Sequence, residues 1–387
     1  MGWRLDWLTS WDEVWSPENV ARWRALATRP DAHVTPFVTP GMARAWVDAV
    51  GGHGGLRPRF LWARDAASGQ EVAWPMAIVQ GGVAQGAARQ LVPIGATLSP
   101  MRVYEGLYDY NDPIVAPAAP GPCVLAPGFW PALRAELDRR AGPWFDRCIL
   151  EKLRAPCFED GAPPELDAVG SRTGVRPEPL RVAPYLDLDR YAGYADYLAA
   201  RSTSMRNDIR RHGRKLEALG DVRFHMHGPQ DLDLVRGWLP ALEAARRARY
   251  PEARMPARLL ANVVTEAAAE GMLRASSIAV DGRGISWDIG LWQAGVYYGY
   301  VRSFDQSLAH ASPGTAHTAR LVAWTLENGG RRLDLLIGDE TYKSRWTDGL
   351  TEVVGGLRIT SRAYPSKARM TLARVARRMA DRRAART

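Results

Sequence analysis

The sequence predicts a mixed α/β (α+β) protein built as two lobes in tandem, each a mostly antiparallel mixed sheet flanked by helices. Three observations predict it. Helical and strand-like periodicities alternate along the chain. Three strand-like segments follow one another with turn signals between them, from Leu273 to Ser303. A stretch rich in Pro, Gly and charge, Glu159–Glu178, divides the chain. The 387 residues also exceed what a single core usually serves. The expected organisation is an N-terminal lobe over 1–160, a linker over 161–181, a C-terminal domain over 182–362 and a basic helix over 363–387.

In the first lobe, Trp11–Ala27 has helical periodicity. Thr39-Pro40 opens a second helix, Gly41–Val50, because proline fits a first helical turn. Strand-like runs follow at Arg59–Arg64, Val72–Gln80 and Gln90–Ile94. Ser99–Pro113 reads as a loop rich in Tyr and Asp, Trp130–Ala141 as a helix and Phe145–Lys152 as a buried strand. In the second lobe, Val182–Leu188 is a short strand, and Tyr194–Leu219 is a helix closed by Gly220. Val222–His227 alternates as a strand; Asp231–Arg249 and Ala257–Glu270 are helical. The three-strand run is Leu273–Val280, Gly284–Trp292 and Gly295–Ser303, with Asp281-Gly282 as a hairpin turn. Ser312-Pro313-Gly314 starts a helix to Asn328, with serine as the cap and proline in the first helical position. Leu333–Ile337 and Val353–Thr360 are strands, and Ser366–Asp381 is a terminal helix.

Composition narrows the function classes. With 46% hydrophobic and 24% charged residues the chain is globular rather than disordered. Its three cysteines, Cys123, Cys148 and Cys157, contain no CxxC pair, so neither a disulfide framework nor a structural zinc site is expected. Asp6, Asp12 and Glu13 interrupt the apolar residues of Met1–Trp15, and no run approaches the ~20 apolar residues of a membrane span. A cytoplasmic location is expected. The net charge of +9 calls for an anionic partner: nucleic acid, a phosphorylated cofactor or an anionic membrane surface.

Four segments carry candidate chemistry. Ser202–Leu219 places Met205, Ile209, His212, Leu216 and Leu219 on one helical stripe and Arg206, Arg210 and Arg214 on another. The basic stripe is either a cationic surface for a phosphate-bearing substrate or a solvated face. Tyr297–Thr318 runs from a strand into a helix start, where free N–H groups and the helix dipole favour an anion. Tyr300 and Arg302 on the strand and Ser312, Gly314 and Thr315 at the helix start are its candidate donor contacts; the alternative is an ordinary capped helix. Leu333–Trp346 ends a buried strand in Gly338, Asp339 and Glu340, followed by Tyr342 and Lys343. Carboxylates beside a tyrosine and a lysine suit acid–base work on an amine: Glu340 or Asp339 as base, Tyr342 as acid. The alternative is a structural Asp339–Lys343 ion pair. In the first lobe, Tyr108, Asp109 and their neighbours suit a sugar or simply pack a loop.

These segments together resemble a known family. The matching features are Ser204-x-Arg206 with Arg210-Arg211-x-x-Arg214-Lys215-Leu216, then Phe304-Asp305 ahead of Ser312-Pro313-Gly314. Asp334-x-x-x-Gly338-Asp339-Glu340-x-Tyr342-Lys343-x-x-Trp346 completes the set, with Phe37-x-Thr39-Pro40 and Asp109-Tyr110-x-Asp112-Pro113 in the first lobe. They are similar to the CelD-like acetyltransferases linked to bacterial cellulose and exopolysaccharide biosynthesis, within the GNAT superfamily and distantly related to the FemABX peptidyltransferases. The resemblance implies tandem GNAT-like lobes and transfer of an acyl group, usually acetyl from acetyl-CoA, to an amine on an amino sugar or polysaccharide precursor. It implies catalytic roles among Asp305, Asp339, Glu340, Tyr342 and Lys343 and substrate contacts at Arg206, Arg210, Trp346, Tyr108 and Asp109. One feature departs from the superfamily: Leu308–Thr315 lacks the Q/R-x-x-G-x-G/A pyrophosphate loop. FemABX relatives use aminoacyl-tRNA, which gives a second reading of the donor. A third reading is a catalytically silent module that binds a nucleotide or scaffolds a polysaccharide complex.

The terminal helix carries a thin apolar stripe, Ala368, Leu372, Val375 and Met379, among Lys367, Arg369, Arg374, Arg377, Arg378, Arg382 and Arg383. It suits an anionic membrane surface at the inner face, a cyclic dinucleotide gripped by Arg374 and Arg378, or no ligand at all.

Overall fold

The computed structural model describes residues 2–50, 55–80, 88–96, 108–117, 124–154, 157, 172–251, 255, 258–363, 366–372 and 375. The chain forms two compact units: Met1–Arg181 with Val353–Thr387, and Val182–Glu352. The first unit contains β1 (Trp3–Leu8), α1 (Trp11–Val14), α2 (Pro17–Ala27), α3 (Pro40–Val50), β2 (Leu56–Pro58), β3 (Phe60–Asp65) and β4 (Glu71–Trp74). It continues with β5 (Met76–Gln80), β6 (Arg89–Pro93), β7 (Ile114–Ala116), α4 (Phe129–Arg140), β8 (Arg147–Arg154) and β9 (Thr173–Pro177). β10 (Arg181–Asp187) leads into the second unit, with α5 (Tyr194–Ala199), α6 (Thr203–Glu217), β11 (Val222–His227), α7 (Leu232–Arg249) and α8 (Leu259–Ala269). There follow β12 (Leu273–Val280), β13 (Arg283–Gln293), β14 (Val296–Phe304), α9 (Pro313–Glu327), β15 (Arg332–Asp334) and α10 (Thr341–Thr347). The last strand, β16 (Thr351–Ser361), joins the first unit from Val353 onward. The division therefore falls at Glu352 rather than at the expected 362, because β16 pairs with β8 and β9 of the first unit.

In the first unit, β1, β3, β4 and β7 form an antiparallel sheet. β16, β8, β6, β5 and β2 adjoin in that order, with β6 and β8 parallel. Its core gathers Trp74, Phe129, Trp130, Phe145, Leu150 and neighbours. In the second unit the strand order is β11-β12-β13-β14-β15-β10, antiparallel except for β14 with β15. Its core is built from Leu186, Tyr197, Tyr297, Leu321, Leu333 and Trp346, with a satellite around Leu216, Ile278 and Ile285.

Most differences from the expected elements have local causes. Trp11–Ala27 is two helices, because Pro17 opens a new one and Ser16 Oγ accepts the Asn19 N–H at 3.2 Å. Val72–Gln80 is two strands in different sheets, broken at Pro75, which has no ladder donor. Tyr194–Leu219 breaks where Ser202 caps α6 through Met205 N at 3.2 Å. The Asp281-Gly282 hairpin has φ of 49° and 80°, and Ala294-Gly295 repeats the device with 49° and 75°. Such twin positive φ values match the twist of the flanking strands. Residues 161–171 of the expected linker, most of the Ser99–Pro113 loop and most of the basic terminal helix lie outside the described residues. Residues 366–372 are helical, and Arg369 pairs with the buried Asp146 at 2.6 Å.

Candidate active site

β14, α9 and β15 form a βαβ unit, two parallel strands joined by a helix. The ladder covers Val296–Tyr298 against Arg332–Asp334 and ends there, although β14 runs on to Phe304. The cause lies on the β15 side. Oδ1 of the fully buried Asp334 accepts the Leu336 N–H at 2.8 Å, and Leu336 takes a left-handed φ of 60°. Leu335 N then donates to Pro184 O and Gly338 N to Val182 O, both at 3.0 Å, so the chain keeps to β10 as the β14 ladder ends. A wedge opens at the carboxyl ends of the two parallel strands, where open α/β sheets place their ligands. At Gly299, inside this wedge, a Cβ would meet nothing nearer than Asp334 O at 3.7 Å and Arg302 Nη2 at 3.8 Å.

β13, β14 and α9 share a polar network centred on the wholly buried Asp288. Arg302 Nε donates to Asp288 Oδ2 at 2.6 Å, and Nη1 donates to Thr318 Oγ1 at 2.7 Å. Tyr297 donates its hydroxyl proton to Asp288 Oδ1 at 2.5 Å. Burial opposes the Arg302 charge, but Asp288 outweighs it and raises the guanidinium pKa. Burial, with Asp288 beside it, holds the Tyr297 phenol well above its ordinary value. His317 on α9 is wholly buried between Ser276 Oγ at 2.8 Å and Ser286 Oγ at 2.7 Å. Desolvation, helped by Arg302, drives its pKa well below the usual histidine range and keeps it neutral.

Tyr342, the second residue of α10, lies close enough to Arg302 for that charge to act on its phenol. It keeps 43% of its surface exposed, yet desolvation pushes its phenol up to about 12; Arg302 opposes this shift and Glu340 adds to it. Tyr250 and Arg249, at the end of α7, are near enough to act on the same phenol. The Arg249 guanidinium lies over the Phe304 ring at 5.4 Å and the Tyr250 ring at 5.1 Å. The structure thus brings Arg302, Glu340 and Tyr342 together and adds Arg249, Tyr250 and Asp288, which the sequence reading passed over. Asp288 had a signal, a lone carboxylate within the apolar run Ile-Ser-Trp-Asp-Ile-Gly: buried charges occur where a partner waits.

Other expected site residues have structural work. Lys343 is 4% exposed; its Nζ donates to Ile337 O at 2.9 Å and pairs with Glu340 Oε2 at 3.0 Å. The ion pair that the alternative reading gave to Asp339 and Lys343 is made by Glu340 instead, while Asp339 is exposed and joins no ion pair among the described residues. Asp305 Oδ1 caps the 3-10 turn Gln306–Ala311 by accepting Ser307 N at 3.0 Å, and Oδ2 pairs with Arg283 at 2.9 Å. Ser312 precedes α9 but has φ 53° and makes no side-chain cap bond, contrary to expectation. Its carbonyl accepts the Thr315 N–H at 3.0 Å, Pro313 has no N–H, and Gly314 faces the Phe304 ring. Leu308 and Ala311 pack into the satellite core, and Lys215 Nζ donates to His310 O at 3.0 Å. The segment before α9 is thus filled by its own side chains. Tyr300 is 8% exposed. Arg206 donates to Ala199 O and Arg201 O, tying the end of α5 to α6. Trp346 is core, with its carbonyl accepting the Tyr197 hydroxyl at 3.2 Å. Arg210 is exposed on α6. In the first unit Tyr108 is wholly buried and donates to Met42 O at 2.7 Å; Asp109 beside it is half-buried.

Among the described residues no helix is long and apolar enough to cross a membrane. The comparison with curated proteins gives no match. Among solved structures, the chain is similar to the C-terminal domain of a putative lysylphosphatidylglycerol synthetase from Agrobacterium fabrum, at 10% identity and TM-score 0.51, covering 92% of this chain and 95% of that one. It is likewise similar to FemX, at 8% identity and TM-score 0.53, covering 87% and 95%. At these identities the likeness concerns the fold alone, and it runs through both units. Residues 203–344 match the model of the acetyltransferase (GNAT) domain, a span that contains β14, α9, β15, the wedge and Tyr342. The part of the chain that is similar to an acetyltransferase (GNAT) domain therefore lies within the second unit.

Proposed function

We propose that this chain is an N-acyltransferase whose reacting centre lies in the wedge between β14 and the chain beyond β15. The observation that carries the reading is the ladder that stops at Tyr298 and Asp334, on a strand that also bears Arg302, whose charge acts on the Tyr342 phenol. An amine attacks the acyl carbon; a C–N bond forms, and the bond to the leaving group breaks. Tyr342, protonated at neutral pH, supplies the proton to the leaving group. The acceptor ammonium loses its proton to Glu340, directly or through water. The fixed charge of Arg302 favours the oxyanion that develops between them.

For the substrates, our reading is acetyl from acetyl-CoA and an amine on an amino sugar or exopolysaccharide precursor, in the manner of the CelD-like enzymes. The basic terminal segment would hold the protein at the inner face of an anionic membrane, or bind a cyclic dinucleotide. A second reading, aminoacyl transfer from aminoacyl-tRNA, is favoured by one observation: the α9 start is filled and short of free N–H groups, so it makes a poor pyrophosphate cradle. Thermal-shift titration with acetyl-CoA, free CoA and aminoacyl-tRNA separates the two. Stabilisation by both CoA species at 0.15 M salt, with turnover of glucosamine, is expected. No shift with either CoA species, and a shift with aminoacyl-tRNA that persists in salt, would transfer the assignment to the second reading.

A further inference from the structure

Away from the wedge, α6 and α9 run side by side over β11 and β12 and enclose a groove of about 510 Å³. Lys215, near the end of α6, reaches His310, just before α9, so the helices are antiparallel. Such a volume suits a small organic ligand.

The groove is kept open by sequence. Gly213 sits within α6, where glycine costs about 1 kcal/mol relative to alanine. A Cβ at Gly213 would meet nothing within 4 Å, so no packing in the folded chain requires the glycine. The facing wall is made of small residues, Ala316, Ala319 and Ala323, one turn apart on α9. The lining is apolar at half-buried Ile209 on α6 and half-buried Phe224 on β11, backed by the buried Ile278. Charge is distributed around it. Arg210 and Arg214 stand on the α6 wall and Arg320 on the α9 wall, none in an ion pair among the described residues. Two carboxylates also line the groove, Glu217 at the end of α6 and Glu327 at the end of α9. Because the helices are antiparallel, these lie at opposite ends, with the arginines between them. Tyr194, its phenol raised to about 12 by desolvation against the pull of Arg320, adds a protonated hydroxyl beside that arginine.

We propose that this groove binds an anionic amphiphile, an alkyl or acyl phosphate whose chain lies against Ile209 and Phe224 and whose head is held by Arg210, Arg214 and Arg320. The chain needs a dry apolar trough, and the phosphate needs several fixed donors. The proposal does not rest on the acyl-transfer reading, since none of these residues lines the wedge.

The test uses the full chain and dodecyl phosphate, titrated calorimetrically below its critical micelle concentration. Dodecyltrimethylammonium and inorganic phosphate are the comparison ligands. Dodecyl phosphate is expected to bind at least about tenfold more tightly than either, a difference of about 1.4 kcal/mol. Gly213→Phe fills the trough and should weaken binding about tenfold or more, while Gly213→Ala should retain it and raise the stability. Should Gly213→Phe fail to fold, the Arg214→Ala, Arg320→Ala pair carries the same test through the head group. Equal binding of the cationic detergent, equal binding of inorganic phosphate, or unchanged affinity in a folded Gly213→Phe or in the arginine pair overturns the proposal.

Discussion

Single residues set the chemistry of the second unit through burial. Tyr342→Phe removes the hydroxyl proposed as proton donor; turnover should fall about a hundredfold or more with KM little changed, as measured by steady-state kinetics. Glu340→Gln keeps the shape but ends both proton acceptance and the ion pair with Lys343. Lost turnover with an unchanged melting point would place Glu340 in the reaction; unchanged turnover would leave it only the task of holding the bend. Asp288→Ala removes the carboxylate partner of the part-buried Arg302, and a loss of about 1.5–3 kcal/mol in denaturant unfolding is expected. His317 gives a signed pH dependence. Its folded pKa lies below its unfolded one, so below about 6.5 the unfolded chain binds a proton that the folded chain does not. Stability attributable to His317 is present above that value and is lost as pH falls, by up to about 1.4 kcal/mol per pH unit. His212 and His227 are shifted the same way, chiefly by burial, and add to the slope. Replacing His317 by Gln should flatten the slope by up to one proton's share without abolishing it. Sequence reading singled out Tyr342 and Glu340 as candidates because a strand ending in Gly-Asp-Glu is a visible punctuation. It passed over His317 and Asp288, because a buried polar group is defined by neighbours distant in sequence, such as Ser276 and Arg302.

At the scale of elements, the local signals were legible. Pro17, Pro75 and Ser202 each mark a break that the structure makes, and an extended helical or strand pattern hid them by continuing on both sides. Ser202→Ala should cost about 1 kcal/mol by removing the bond to Met205 N, measured by urea unfolding. β1 could have been read from the alternation Trp-Arg-Leu-Asp-Trp-Leu, which its register with β3 uses. The length of β15 could not. Leu333–Ile337 is uniformly apolar, and what ends the strand after Asp334 is a side-chain bond to Leu336 N with a left-handed φ. That bend ends the pairing of β15 with β14, a feature that propensity hides.

For the whole molecule, the net charge of +9 makes polyanion binding at low salt uninformative. Binding of a true donor should survive 0.15 M salt in the thermal-shift titration and saturate; binding that vanishes there belongs to the charge alone. The sequence by itself determined the mixed α/β class, the order of strands and helices in the second unit, and the GNAT-like arrangement they imply, because hydrophobic period and turn chemistry are local properties. Only the tertiary structure decided which polar side chains are taken up by partners within the fold. Lys343, Trp346, Arg206 and Tyr108 have the residue types of a site yet are spent on holding carbonyls or filling cores. Arg302 and Tyr342, by contrast, gain their character from Asp288, Arg249 and Tyr250, brought to them by other elements of the fold. Whether a donor or a carboxylate is free depends on the partners that distant segments deliver, and the cost of leaving a buried polar group unpaired makes those partners obligatory.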